Sequence, residues 1–380
     1  MSSAVTLAIS IAVASGAGAQ APSRDTVHAL ATVATVLRDS GSSWGEAVWP
    51  GFRPDTIPLV FVLTGRGTFV MNFPGALPSG FDPLPEVSHA GFLGTADRSA
   101  ASTGTELAGR RVAQVVIDSL DRAGLLGLAM HETFHVFERS VEREGRRFGG
   151  AEASWLVSRY PAFDVENEAG MALEGRILYA ALTARSVAAA RRLATQYVAA
   201  RERRSRVLDP QFAEFEAMAD LNEGLAEYAL LRGYGFAGAG ILAHGTVQRL
   251  DGLTSTPGLS IRLRFYSTGS ALALLLDRLA GAGWKARLVN ENLTLLELMA
   301  RVTGFRDAEG RDARGGRRVR PRDVAPGRRP RRRRAAYEAD AANGQHPRPT
   351  RGARGARWLV PARPVHRVVR LRSSEHAAGR

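Results

Sequence analysis

Residues 131 to 135 read His-Glu-Thr-Phe-His, two histidines four positions apart with a glutamate beside the first. On an α-helix, residues four apart lie on one face, so both imidazoles can reach a single ion at the roughly 2.0–2.1 Å that zinc requires. Glu132 falls to the side of that line. Its carboxylate can there take a proton from water that the ion has made acidic, as the water attacks a carbonyl. The pattern points to metal-assisted hydrolysis. Its flanks are apolar: Leu125, Leu126, Leu128, Ala129 and Met130 precede it, and Phe134, Val136 and Phe137 lie within and after it. Such a helix is mostly buried, and three ionisable groups in it are costly unless paired or bound to a metal. A polar stripe on a surface helix, the competing reading, does not account for those flanks.

A catalytic zinc takes three protein ligands and keeps one position open. The chain has no cysteine, so the ligands are drawn from His, Asp and Glu. The longer pattern HExxHxxGxxH fails, because Glu138 stands at its glycine and Val141 at its last histidine. His28, His89 and His244 are the other histidines before residue 306, and none has a helical partner. The segment DLNEGLAEYALL, residues 220 to 231, places Glu223 and Glu227 one turn apart on a second helix. Glu223 is the candidate third ligand. Glu227 is placed to accept a hydrogen bond from a ligand histidine and fix its tautomer. Glu216, Glu166, Glu168 and Glu174 stand as alternative ligands, and a solvated helix face is the alternative role for the Glu223–Glu227 pair.

HETFH followed by Asn222-Glu223-Gly224-Leu225-Ala226-Glu227-Tyr228 resembles the gluzincin metallopeptidases, which include thermolysin and the zinc aminopeptidases. The aminopeptidases carry an N-E-G-F-A segment whose glutamate is the third zinc ligand. Thermolysin carries N-E-x-x-x-D, with an aspartate where this chain has Glu227. The resemblance implies an α+β, mainly α, zincin-like fold with a small N-terminal β part and a helical body. It implies zinc on His131, His135 and Glu223, Glu132 as the base, and a peptide or protein substrate. It also implies a tyrosine downstream of the third ligand that stabilises the oxyanion, with Tyr266 as the candidate and Tyr234 as the reserve. One departure is the spacing: His135 and Glu223 are 88 positions apart, which an insertion of two long helices over 167–208 would accommodate.

The elements that must position these residues read as follows. TVHALATVATVLRDSG, residues 26 to 41, predicts a first helix that stops at Ser40-Gly41. Residues 57–73 read as two strands or a hairpin, 74–92 as a loop, and 110–118 as a strand. Two amphipathic helices fill 167–208, and Asp209-Pro210 opens another that Gly235 closes. Residues 264–284 and 294–305 are helical in pattern.

The ends of the chain differ in composition from its body. Residues 4–14 are an apolar run followed by Ala17-Gly18-Ala19, which predicts a secretory signal peptide over 1–19 and a secreted or periplasmic protein. No later stretch is apolar enough to predict a membrane helix. The net charge is +14, yet residues 306–380 hold 22 Arg against 7 acids, while 29 basic and 30 acidic residues nearly cancel before them. Residues 20–305 are therefore the expected catalytic domain. The last 75 residues, rich in Arg, Ala, Gly and Pro, are expected to lack a core. That stretch reads either as a non-specific polyanion-binding tail or, since the chain has one Lys against 50 Arg, as a shifted reading frame in GC-rich DNA. With only Tyr337 and Trp358 interleaved, no specific nucleic acid is expected. The alternatives to a working peptidase are an inactive zincin-like protein and a polyanion-binding envelope protein.

Overall fold

The computed structural model describes residues 21–306 except 65, 97–99, 118 and 254–260. The predicted signal peptide and the Arg-rich tail from 307 lie outside the described residues. The fold is α+β and mainly helical, with one six-stranded sheet.

The chain opens with α1 (Arg24–Val48), capped by the Ser23 hydroxyl. This helix overruns its predicted stop, and the reason is a close approach. A Cβ on Gly41 would lie 2.9 Å from the Asp55 nitrogen, and one on Gly45 would lie 2.1 Å from the Phe52 carbonyl oxygen. The two glycines let the returning chain lie against the helix; they do not end it.

Strands β1 (Leu59–Leu63) and β2 (Gly67–Met71) form the expected hairpin. The predicted loop that follows carries two short strands, β3 (Asp82–Pro83) and β4 (Gly91–Leu93), which periodicity could not reveal because each is at most three residues long. Next come β5 (Thr103–Leu107), which the pattern did not predict, and β6 (Arg110–Ile117), which it did. The strand order is β3-β4-β2-β1-β6-β5; β1 and β6 are parallel and every other pair is antiparallel. Alternation along β1 sends Leu59, Phe61 and Leu63 into the main helical core and Val60 and Val62 into a smaller cluster with Val70, Phe73 and Phe81. Strand β5 is left as an edge.

After β6 the chain enters α2 (Arg122–Ser140), whose first turn is closed by Asp121 accepting from the Gly124 amide at 2.7 Å. The two helices expected over 167–208 are α3 (Val165–Thr183) and α4 (Val187–Ser205). They lead to α5 (Pro210–Phe236), capped by Asp209 with Pro210 in its first turn. The helical body ends with α6 (Gly245–Gln248), α7 (Leu263–Ala280), α8 (Trp284–Asn290) and α9 (Leu295–Thr303).

Helix α5 is the centre of the body, and glycines set how near its neighbours come. Across its contact with α2, a Cβ on Gly233 would lie 2.7 Å from Met130 Cγ, and one on Gly127 would lie 3.1 Å from Leu230 Cγ. Across its contact with α7, a Cβ on Gly224 would lie 2.5 Å from the Gly269 Cα, and one on Gly269 would lie 2.4 Å from the Asp220 carbonyl oxygen. Two backbones touch there. Side chains of ordinary size would hold the axes at about 8–10 Å.

The α3–α4 pair is tied back to α5 by buried charge. Arg204 donates to Glu174 at 2.6 Å, to Glu216 at 2.7 Å and to Asn167 at 2.7 Å. Arg201 pairs with Glu174 at 3.1 Å, Glu216 at 2.7 Å and Asp220 at 3.4 Å. Three carboxylates face two guanidiniums, and burial pushes Asp220 up to about 7 against the pull of Arg201. The long stretch between His135 and Glu223 thus folds into a packed helical pair that returns the chain to α2.

In an isolated helix Gly224→Ala would stabilise by about 1 kcal/mol, whereas the backbone contact here predicts a loss of about 3 kcal/mol, so the sign of the shift in the urea midpoint tests the crossing. For Asp220, the unfolded value is 3.8 and the folded value about 7, so across that window the folded state keeps a proton the unfolded chain has lost. Its contribution to the unfolding free energy therefore falls as pH rises from about 4 to 7. Asp220→Asn should gain stability relative to the parent across that range; parallel curves of urea midpoint against pH would show an ionised Asp220.

Candidate metal centre

Histidines 131 and 135 project from the buried face of α2 toward Glu223 of α5. Their Nε2 atoms are 3.1 Å apart, and Glu223 Oε2 lies 3.8 Å from the first and 3.6 Å from the second. Ligands about 2.1 Å from a tetrahedral ion are about 3.4 Å from one another, so these three atoms form a triangle of the size an ion would occupy. The group could hold a metal ion, and it is the group of that kind found among the described residues.

The remaining polar atoms fit the same reading. Glu132, 4% exposed, has a buried Oε2 with no hydrogen-bond partner, and Glu223 Oε2 is likewise unpartnered. A buried carboxylate oxygen without a partner is costly. Four glutamates, 132, 138, 223 and 227, are buried around two imidazoles.

Each histidine is oriented by a carboxylate behind it. Glu227 Oε2 is 3.2 Å from His131 Nδ1, although the ring is turned so that Nδ1 lacks a well-directed bond. Glu138 Oε2 is 3.3 Å from His135 Nδ1. Glu227 is itself held by the Thr246 hydroxyl of α6. Backing carboxylates fix the tautomer that leaves Nε2 free to ligate. Glu227, the residue named from the sequence, lies beside His131 Nδ1, and Glu138 beside His135 Nδ1 is one the sequence reading does not include. Its signal was present: three residues after His135, it shares that face of the helix.

The electrostatics follow from this packing. Burial disfavours charge on His135, but Glu138 and Glu223 outweigh it and raise the imidazole to about 10. For His131, burial is again outweighed, here by Glu227 and Glu132, and the pKa is raised. Burial opposes ionisation of Glu223 too, yet His135, His131 and Arg262 bring it down to about 2. Glu132 is raised by burial despite both histidines.

Tyr266 of α7 stacks on His131, with ring centroids 5.6 Å apart and planes 17° apart. Burial and the Glu223 carboxylate push its phenol far up, so it stays protonated. Tyr234, the reserve, packs edge-on against His244 and does not line the cleft. One turn before Tyr266, Arg262 pairs with Glu223 Oε1, and it meets Glu152 at 2.5 Å. The cleft above these groups is about 390 Å³, and one wall is Ser102, Thr103 and Gly104, at the start of β5. Sequence reasoning missed Arg262, Glu152 and this wall; of these, only Arg262, four residues before Tyr266 on a helix, had a readable spacing.

The alternative ligands are engaged elsewhere. Glu174 and Glu216 belong to the arginine network, Glu168 pairs with Arg264 at 2.6 Å, and Glu166 is exposed. His28 and His89 are exposed, and His244 Nδ1 accepts from the Thr246 amide at 3.3 Å. Compared with known proteins, the chain matches no family model, no curated protein and no solved structure.

Removal of either backing carboxylate, in Glu138→Ala or Glu227→Ala, should weaken divalent-metal binding roughly 10- to 100-fold. Competition with a chromophoric chelator reads this directly; unchanged affinity in both variants would rule out the orienting role.

Proposed function

We propose that the protein is an exported zinc-dependent hydrolase, a peptidase of the gluzincin type on a zincin-like fold. The observation that carries this reading is the convergence of His131 Nε2, His135 Nε2 and Glu223 Oε2 beside the unpartnered carboxylate of Glu132. Two imidazoles and one carboxylate are a donor set of catalytic zinc sites. Export rests on the predicted signal peptide. No helix among the described residues is long and apolar enough to cross a membrane.

Zinc, when bound by these three residues, supplies Lewis acidity that polarises a carbonyl and makes water more acidic. The chain's own groups do the rest. Glu132, at the side of the ligand pair, takes the proton of the attacking water and passes it to the leaving amine. Tyr266, protonated and stacked on a ligand histidine, donates to the oxygen of the carbonyl as negative charge develops there. Strand β5 supports a peptide as the substrate. It is a sheet edge and lines the cleft, so an extended chain can pair with its free backbone groups and lie across Glu132.

In this reading Glu132→Gln keeps stoichiometric zinc and loses peptide cleavage by about 10²-fold or more, whereas His135→Ala loses the zinc itself. Metal analysis and cleavage of a mixed peptide library check both. Wild-type zinc affinity in Glu223→Ala would reject the third ligand, and a zinc-loaded wild type that cleaves no peptide would identify an inactive zincin-like protein.

A further inference from the structure

Glu223 has two carboxylate oxygens with different surroundings. Oε2 faces the two histidine Nε2 atoms, while Oε1 is taken by the Arg262 guanidinium. A carboxylate left to itself can bind an ion through one oxygen or both. Arg262 is in turn held from the opposite wall by Glu152, whose side chain is 5% exposed although it sits on a loop. Glu152 offsets the charge that the guanidinium would otherwise bring near a dication, so the pair adds orientation without adding net charge. Arginine suits the task because its planar fork stays charged at any pH and can bridge two carboxylates.

From this arrangement, and resting on the metal centre above, we propose that Arg262 and Glu152 are positioning residues. They hold Glu223 so that one oxygen serves the ion and the other is withheld, which keeps a coordination position open for substrate. A one-oxygen ligand with two histidines leaves that position; a two-oxygen ligand fills it. The pairing joins three parts of the chain: the loop after α2, the N-cap of α7 and the middle of α5. Arg262 and Tyr266, four residues apart at the start of α7, therefore approach Glu223 together.

The test uses the full chain, stripped of metal and reloaded with Co²⁺ alone or Zn²⁺ alone. The charge-balanced variant Glu152→Gln/Arg262→Gln removes the brace without changing the net charge of the cleft. Four-coordinate Co²⁺ absorbs visible light far more strongly than Co²⁺ of higher coordination number. The variant should therefore show weaker, shifted Co²⁺ bands, and should hold Zn²⁺ about tenfold or more weakly, while the metal-free thermal midpoint changes little. Arg262→Lys, which keeps the charge and loses the fork, should recover part of the affinity; if the double variant does not fold, the Arg262→Lys spectrum decides the question, and bands that superimpose on wild type overturn the proposal.

A Co²⁺ spectrum that superimposes on wild type, whatever the thermal midpoint does, would show that the pair merely ties a loop to a helix and would overturn the proposal. A wild type that binds neither ion would overturn it together with the metal centre. An unchanged double variant beside a His135→Ala protein that has lost the ion would overturn the brace alone.

Discussion

Polar groups from three helices can meet at one point only if the backbones that carry them come closer than ordinary side chains permit. Here the constraint is met by glycine at both contacts of α5. Gly127 and Gly233 bring it against α2, and Gly224 and Gly269 bring it against α7. Gly224 is next to Glu223, so the residue that allows the close crossing is adjacent to the one that profits from it. The Asn-Glu-Gly segment is thus partly a packing motif. Its glutamate faces the two histidines, and its glycine lets α7 bring Arg262 and Tyr266 within reach of that glutamate.

The same closeness creates an electrostatic problem. Helix α2 is lined by Leu125, Leu126, Ala129, Met130 and Phe134, all nearly without solvent contact, and the glutamates of the site are buried among them. Each would be driven toward its neutral form in isolation. They are held by one another's partners: Glu138 by His135, Glu227 by His131 and Thr246, and Glu223 by both histidines and Arg262. Oxygens without a well-directed hydrogen bond remain on Glu132 and Glu223, the residues proposed for the reaction and the ion, and on Glu152 in the same cleft. A bound ion and water would complete the first two.

Much of this was legible in the chain, because local signals are strong where one helix carries the information. His131, Glu132 and His135 share a helix, and the apolar flanks showed that it is buried. Asp209-Pro210 marked the start of α5, and Gly235 lies at its end. The first helix overran its predicted end because Gly41 and Gly45 answer to Phe52 and Asp55, residues that the helical pattern does not include. Strand β5 was missed because its residues are exposed or half-buried and it pairs on one side only, which leaves no apolar alternation to read. Glu152 was missed for a related reason: it sits on a loop, and its burial depends on an arginine 110 positions away.

The spacing between His135 and Glu223 is explained by the arginine network. Buried ion pairs are weak evidence for stability, since an apolar replacement of similar volume often serves as well. Their effect on register is different in kind. Apolar helix faces tolerate small slides, but a shift of α5 by one residue, about 1.5 Å along its axis and 100° around it, would leave Glu216 and Asp220 buried opposite no guanidinium. Glu223 lies seven residues after Glu216 and three after Asp220 on the same rigid helix, so that shift would also turn it away from His131 and His135. Helices α3 and α4, which look from the sequence like an interruption of the site, supply Arg201 and Arg204, the groups that penalise the wrong register. The α3–α4 pair and the single glutamate are two parts of one positioning device.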